Sequence, residues 1–245
     1  MPKFFVPKGN IDAEGRAAFV EGDDARHIAR SLRMAVGDGL TLSDGEGASY
    51  AAVLTKIRDE RCELEITEVL VSGSEPRIPV TLFMAYPKSD KLETIIQKAT
   101  ELGATAIIPF ESSRCIKRPS KDKADAKRER LTRIAKEAAK QCGRDKIPFV
   151  SDCISFKECL KMASEAELAL FCYEDESGRS VKDALGARRP SSVSVVVGSE
   201  GGFSTEEAEL AKEAGLISVS LGARILRCET APDYVLAAIS YEYEL

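Results

Sequence analysis

Histidine occurs once in the 245 residues, at position 27, and the seven cysteines include no C-x-x-C pair. Protein zinc sites are built from closely spaced Cys and His, so no metal centre is expected, and a histidine-based catalytic triad has only His27 to draw on. His27 falls within a predicted helix, where a lone histidine packs or hydrogen-bonds. The odd cysteine count also argues against a disulfide framework. Cys62, Cys115, Cys142, Cys153, Cys159, Cys172 and Cys228 read as reduced, partly buried thiols. There is no uninterrupted run of ~18 apolar residues, and the N-terminal M-P-K-F-F-V-P-K-G-N lacks the apolar core of a signal peptide. A soluble, cytoplasmic protein with no membrane partner is therefore expected. Excess positive charge is missing too: the net charge of −5 argues against indiscriminate coating of nucleic acid.

What the chain does contain is a stretch, Val193 to Pro232, that carries two ligand-loop patterns in succession. V-S-V-V-V is an apolar, β-branched run closed by Gly198, as a strand buried on both faces of a parallel sheet requires. Gly201 and Gly202 follow, and Ser204 with Glu207 forms an S-x-x-E capping box that opens a helix running to Ala214 and Gly215. Leu216 to Leu221 then reads as a second strand, Gly222 starts a loop, and Thr230 is placed to cap a helix with Pro232 in its first turn. The two strand ends are expected to be neighbours, and ligands of open α/β sheets sit in the crevice beyond the carboxyl ends of strands. The competing reading is a pair of ordinary tight turns. G-S-E-G-G-F is not a nucleotide fingerprint, since it has neither the G-x-G-x-x-G spacing nor the Lys-Ser/Thr ending of a P-loop. Val197 stands where a hydrolase G-x-S-x-G elbow needs glycine.

Residues 1 to 71 read as mainly β, with segments at Lys3 to Val6, Ala17 to Val20, Gly39 to Leu42, Ala48 to Ile57 and Arg61 to Val69, which together predict a small barrel. One helix interrupts it, capped by Asp23 or Asp24 and placing Arg26, Arg30 and Arg33 at i, i+4, i+7 on one face. Three guanidiniums in a stripe suit phosphates, and a solvated surface is the alternative. S-G-S-E-P-R-I-P (72 to 79) has linker composition, so domains are expected at 1–72 and 73–245. The second begins as an α/β alternation: strand Val80 to Ala85, helix Asp90 to Leu102, strand Thr105 to Pro109. Then come a long basic helix from Lys121 to Cys142, a strand Leu168 to Phe171 and a short helix Ser177 to Leu185. Between Arg114 and Lys146 stand 13 lysines and arginines against five acids, so one basic region, including Lys117 and Arg118, rides on an acidic body.

These segments bring a family into view. V-G-S-E-G-G-F-S (197 to 204), L-G-A-R-I-L-R-C-E-T-A (221 to 231), T-E-L-G (100 to 103) with S-S-R-C (112 to 115), and Q-C-G-R (141 to 144) stand in family order. Together they make the chain resemble the RsmE family of small-subunit rRNA (uracil-N3)-methyltransferases, within the knotted SPOUT superfamily. Ser199, Cys228 and Ser113 depart from the proline, threonine and glutamate usual there. The resemblance implies an N-terminal PUA-like, RNA-binding β-barrel followed by a knotted α/β domain with a mainly parallel sheet. The trefoil knot rests on the resemblance alone, because general folding rules disfavour knots. It also implies a homodimer.

The implied chemistry is transfer of a methyl group from S-adenosylmethionine to N3 of a uridine in 16S rRNA, presented as free small-subunit rRNA or as the assembled small subunit. Gly198, Gly201 and Gly202 would let backbone approach the cofactor, while Leu221, Gly222, Ile225, Leu226 and Arg227 would supply main-chain hydrogen bonds and a wall for adenine. Arg114 and Arg144, the arginines of the matching S-x-R-C and Q-C-G-R segments, are the candidates for stabilising a developing uracil anion, or else for anchoring phosphate. Glu200 and Glu229 are the candidate proton acceptors, with an ion pair between Glu229 and Arg227 as the structural alternative. Arg26, Arg30, Arg33, Lys117 and Arg118 are the expected RNA contacts. Two other functions stay open on the sequence: a non-catalytic RNA-binding assembly factor, and a ribose 2′-O-methyltransferase of the same superfamily.

Overall fold

The computed structural model describes every residue except 59, 72, 89, 117–123 and 188. The chain divides into two compact units: Met1–Glu75 with Ala139–Ile147, and Pro76–Ala138 with Pro148–Leu245.

The first unit holds six strands: β1 (Lys3–Phe5), β2 (Ile11–Asp12), β3 (Ala17–Glu21), β4 (Gly39–Ser43), β5 (Ser49–Ile57) and β6 (Arg61–Leu70). They form one sheet in the order β1-β4-β5-β6-β3-β2, parallel between β1 and β4 and antiparallel elsewhere. Alternation sets the faces, since Cys62, Leu64 and Ile66 of β6 are buried while Arg61, Glu65 and Thr67 are exposed. Register shifts between β5 and β6 at Ala51/Ala52 and Leu54/Lys56 curl the sheet around a core of Phe4, Val20, Ile28, Leu40, Leu42 and Leu54.

The helix in this unit differs from the expected one. α1 (Gly22–Arg26) follows Glu21 without a side-chain cap, and Asp23 and Asp24 lie in its first turn rather than before it. The chain then widens into a π turn, His27–Ser31, which breaks the 3.6-residue period. Arg33 has left the helix with φ +52°, so Arg26, Arg30 and Arg33 do not form a regular i, i+4, i+7 stripe. Arg26 is held by Glu60 at 2.9 Å and by Asp23. His27 packs edge-on against Phe4.

Segment 139–147 belongs to this unit because of a polar cluster around Glu75. Arg144 is 3% exposed and reaches the Glu75 carboxylate at 2.8 Å, while the amides of Asp145 and Lys146 donate to the other Glu75 oxygen at 2.8 and 2.9 Å. Asp145 in turn accepts from Lys3 at 2.5 Å and from the Ser49 hydroxyl. Burial would raise the Glu75 pKa, but Arg144 and the two amides outweigh it and hold the carboxyl below its ordinary value.

The second unit holds a seven-stranded sheet whose pairings are all parallel. Its strands are β7 (Val80–Ala85), β8 (Ala106–Glu111), β9 (Phe149–Val150), β10 (Ile154–Ser155), β11 (Leu168–Cys172), β12 (Val193–Val197) and β13 (Ile217–Val219). The order is β10-β8-β7-β12-β11-β13, with β9 also on β8. Every residue of β11 and β12 is buried, as apolar strands covered on both faces should be. The covering helices are α2 (Lys91–Glu101), α3 (Ala124–Cys142), α4 (Phe156–Ala163), α5 (Val181–Leu185), α6 (Thr205–Glu213) and α7 (Thr230–Tyr243). The expected start of the basic helix at Lys121 lies outside the described residues. α4 and the short strands β9 and β10 were not foreseen; two-residue strands carry no periodicity to read. Thr230 does not cap α7: it is the first helical residue, Glu229 precedes it, and no side chain caps the end. Among the described residues no helix is long and apolar enough to cross a membrane.

Much of the basic excess in α3 is spent on ion pairs. Lys127 and Arg130 share Glu93 at 2.9 and 2.8 Å, Arg128 binds Asp125 at 2.9 Å and also Asp152, and Lys140 binds Asp24 at 3.0 Å.

Removing one partner of a buried ion pair strands the other without water. Glu75→Ala should therefore cost about 3–5 kcal/mol. Urea unfolding followed by circular dichroism measures the loss, and a Glu75→Ala/Arg144→Met double variant should recover part of it. A loss under about 1 kcal/mol in the single variant would mean the cluster is not what holds segment 139–147.

Candidate functional site

Three strands of the second unit end level with one another. Cys172 at the end of β11 pairs with Val197 at the end of β12 on one side and with Val219 at the end of β13 on the other. Three loops consequently leave the same edge side by side: 173–175, 198–203 and 220–229. The sequence placed β12 and β13 as neighbours, but β11 lies between them and contributes a third wall. Tyr173, Glu174 and Asp175 on that wall were missed, because nothing local to Y-E-D marks it as a ligand loop.

The loops enclose a cleft of about 590 Å³, within the range of small-molecule pockets. Gly198, Glu200, Gly202, Leu221, Gly222, Ile225, Leu226 and Arg227, all expected site residues, line it, together with Lys91, Ser199, Glu174 and Cys228. Gly201 does not. A Cβ there would press on Cβ and the carbonyl oxygen of Arg114, at 3.0 and 3.1 Å, so this glycine is required by a protein contact rather than by a ligand. Gly202 has φ +60°, and a side chain on it would overlap the Glu174 carboxylate. Gly222 has φ +111°, and its amide is taken by the Ser220 hydroxyl at 3.2 Å. Ile225 is 88% exposed, an apolar side chain at the rim with little to cover it.

The glycine loop is fixed from behind by α6. Ser204 and Glu207 form the expected reciprocal capping box, and the second carboxylate oxygen of Glu207 accepts the Ser113 amide at 2.7 Å. One buried carboxylate thus joins the loop after β8 to the loop after β12. Arg114 follows Ser113 and donates to the Gly201 carbonyl at 3.1 Å, which brings this expected catalytic arginine to the cleft's glycine loop. Arg144 lies in the first unit, with its guanidinium on Glu75. Arg26, Arg30 and Arg33 belong to the first unit as well. Lys117 and Arg118 lie outside the described residues.

Lys91, at the start of α2, is the charged centre of the cleft. Its ammonium lies 3.1 Å from Glu200 on the glycine loop and 3.0 Å from Glu229 before α7, so one cation ties two loops together. Glu229 pairs with Lys91 rather than with Arg227, contrary to the structural alternative read from the sequence. The Arg227 carbonyl instead accepts the Thr230 and Ala231 amides at the turn into α7. Burial alone would raise both carboxyls, but hydrogen bonds, with Lys91 among the donors, hold Glu200 and Glu229 below the ordinary glutamate value. The two carboxylates raise Lys91 in return. Burial and the neighbouring Glu229 push the Cys228 thiol up to about 12, so it stays protonated and is no nucleophile at neutral pH. Among the described residues no cluster of His, Cys, Asp or Glu is arranged to hold a metal ion.

Sequence models of known families meet this architecture in two places: an RNA methyltransferase domain over residues 74–240, and an RNA methyltransferase PUA domain over residues 20–67. The class is therefore that of RNA methyltransferases with an attached PUA domain. The chain is 36% identical to the ribosomal RNA small subunit methyltransferase E of Bacillus subtilis, over 100% of this chain and 98% of that one. It is 32% identical to that of Mycobacterium tuberculosis, over 92% and 86%. Its structure superposes with a TM-score of 0.85 on the Neisseria gonorrhoeae ribosomal RNA small subunit methyltransferase E crystallised with S-adenosylmethionine, at 34% identity over 98% of this chain and 97% of that one. The chain belongs to the ribosomal RNA small subunit methyltransferase E family.

The Lys91 clamp carries a pH signature. Carboxyls depressed in the folded state contribute stability that is present above their unfolded pKa, about 4.3 for glutamate, and is lost as pH falls through the folded values. Lys91, raised in the folded state, contributes up to its unfolded pKa of about 10.4 and loses that contribution in stronger alkali. Lys91→Met should therefore lower the urea midpoint between roughly pH 5 and 10, with the gap to wild type closing below about pH 4. A gap independent of acid pH would show that Lys91 stabilises by packing and not by charge.

Proposed function

We propose that this protein transfers a methyl group from S-adenosylmethionine to N3 of a uridine in 16S ribosomal RNA, acting in the cytoplasm as a homodimer. The observation that carries the reading is the cleft at the level ends of β11, β12 and β13, in a chain that matches ribosomal RNA methyltransferases along its whole length.

The residues present fit S-adenosylmethionine. The cleft offers an apolar wall at Leu221, Ile225 and Leu226, close backbone approach at Gly198 and Gly202, and the carboxylates of Glu174 and Asp175 for a sulfonium cation. The Ser199 hydroxyl is buried there with no hydrogen-bond partner among the described residues, a polar group that a ligand can satisfy after a small shift. Bound, the cofactor supplies a methyl group already activated by its positive sulfur. The protein's own task is to hold the uracil edge toward it, exclude water and remove the N3 proton, because neutral N3 has no free lone pair. Arg114, which donates to the Gly201 carbonyl, is read as the cation that stabilises the uracil anion. Arg144 is read as an anchor of segment 139–147.

The homodimer reading is supported by the outer face of α7, where Tyr234, Ala237 and Tyr241 are exposed at helical spacing. Sedimentation equilibrium should return twice the 26.6 kDa chain mass. The first unit is read as the RNA-binding part, with Arg30 and Arg33 toward phosphates. Alanine at both should weaken rRNA binding, reduce the salt slope by about 1–2, and leave S-adenosylmethionine affinity unchanged. An unaltered slope would return both arginines to plain surface.

The direct test is mass spectrometry of 16S rRNA from a strain lacking this gene. Loss of one N3-methyluridine, restored by the intact gene, is expected. The same site should cease to block primer extension, since an N3-methyl occupies the pairing edge. A lost ribose methyl instead would assign the 2′-O activity, and unchanged rRNA would leave an RNA-binding role.

A further inference from the structure

Of the acidic groups at the cleft, Glu200 and Glu229 are both neutralised by Lys91. Hydrogen-bonded to an ammonium and depressed in pKa, each is a weak base. Asp175 is exposed and is not seated against the glycine loop as Glu174 is. Glu174 is different. It lines the cleft with its carboxylate against Gly202, and among the described residues it has no hydrogen bond or ion pair. Only glycine at 202 leaves room for it. Glu174 is exposed, so solvent satisfies its carboxylate, and among the described residues no cation holds it away from a group bound in the cleft.

We propose that Glu174 is the residue that takes the N3 proton from the target uridine; this rests on the methyl-transfer reading above. The step balances without a further reactant. The proton leaves N3 for a Glu174 oxygen, and the freed N3 electron pair forms the N–C bond. The donor's C–S bond breaks with its electrons remaining on sulfur, and Glu174 later returns the proton to solvent. Arg114, across the glycine loop, faces the negative charge that passes between carboxylate and uracil.

The electrostatics agree with this role. Burial first, and then Asp175, raise the Glu174 pKa, opposed by Arg114. The other charged groups of the cleft are Lys91 with Glu200 from α2 and the glycine loop, and Arg224 and Arg227 from the 220–229 loop. A base whose pKa moves toward the working pH transfers protons more effectively than one held low. Since only the ionised carboxyl accepts a proton, the rate should climb with pH through the Glu174 pKa and then level.

Single-turnover methylation of a 16S rRNA fragment, read by mass spectrometry across pH for wild type, Glu174→Gln and Glu174→Asp, tests the assignment, with calorimetry of S-adenosylmethionine binding alongside. Glu174→Gln should lose about 10²–10⁴-fold in rate at neutral pH. It should bind cofactor within about threefold of wild type, and its rate should still rise about tenfold per pH unit where the wild-type rate has levelled, as hydroxide replaces the carboxylate. Glu174→Asp keeps a carboxylate one methylene short and should fall between, with the levelling profile retained. Cofactor binding by each variant certifies its fold; if the glutamine variant does not fold, the aspartate profile decides. A glutamine variant as fast as wild type overturns the proposal. So does one impaired only in cofactor affinity, which would make Glu174 a counter-charge for the sulfonium. Wild type that forms no N3-methyluridine sinks the methyl-transfer reading itself, a failure visible before any variant is compared.

Discussion

A parallel sheet sends all its strands out at one edge, and the rest of the second unit follows from three of them stopping at the same height. Cys172, Val197 and Val219 are register partners, so the backbone hydrogen bonds of β11, β12 and β13 run out together. Beyond that line the chain has to turn, and it turns three times within a few ångströms. A cleft results because three loops cannot pack as tightly as three strands. Its floor is the buried sheet edge, and its walls are whatever those loops carry.

Charge then holds the loops in place. Lys91 lies between Glu200 and Glu229, Glu207 between Ser113 and its own helix start, and the Lys88 amide and Arg114 add further ties to the glycine loop. Such ties are individually modest where partly exposed. They matter here because Lys91 and Glu207 join segments far apart in sequence. The same economy explains the basic helix: Glu93, Asp152, Asp125 and Asp24 absorb four of its cations, so a local positive excess in the sequence overstates the free positive charge on the surface.

Glu174 differs from Glu200 and Glu229 in having no cation partner among the described residues. Glu200 and Glu229 share the Lys91 ammonium, whereas the Glu174 carboxylate rests against Gly202. Gly202, with positive φ and a carboxylate in place of a side chain, is the backbone feature that allows it.

The sequence by itself determined the strand types, the glycine loop, the capping box at Ser204 and Glu207, and the family. All of these are local patterns: apolar runs, turn chemistry, short motifs. Eight residues it named, Gly198, Glu200, Gly202, Leu221, Gly222, Ile225, Leu226 and Arg227, line the cleft, because they lie within two contiguous segments. Tertiary structure alone decided which strand lies between the two loop-bearing strands, and so introduced Tyr173, Glu174 and Asp175. It paired Glu229 with Lys91, placed Arg144 on Glu75, and turned Gly201 toward Arg114. It also broke the arginine stripe with a π turn that residue periodicity does not announce. The physical reason is the same in each case. Strand order and ion pairing are settled between residues tens of positions apart, by packing and charge, and neither leaves a signature at any one point along the chain.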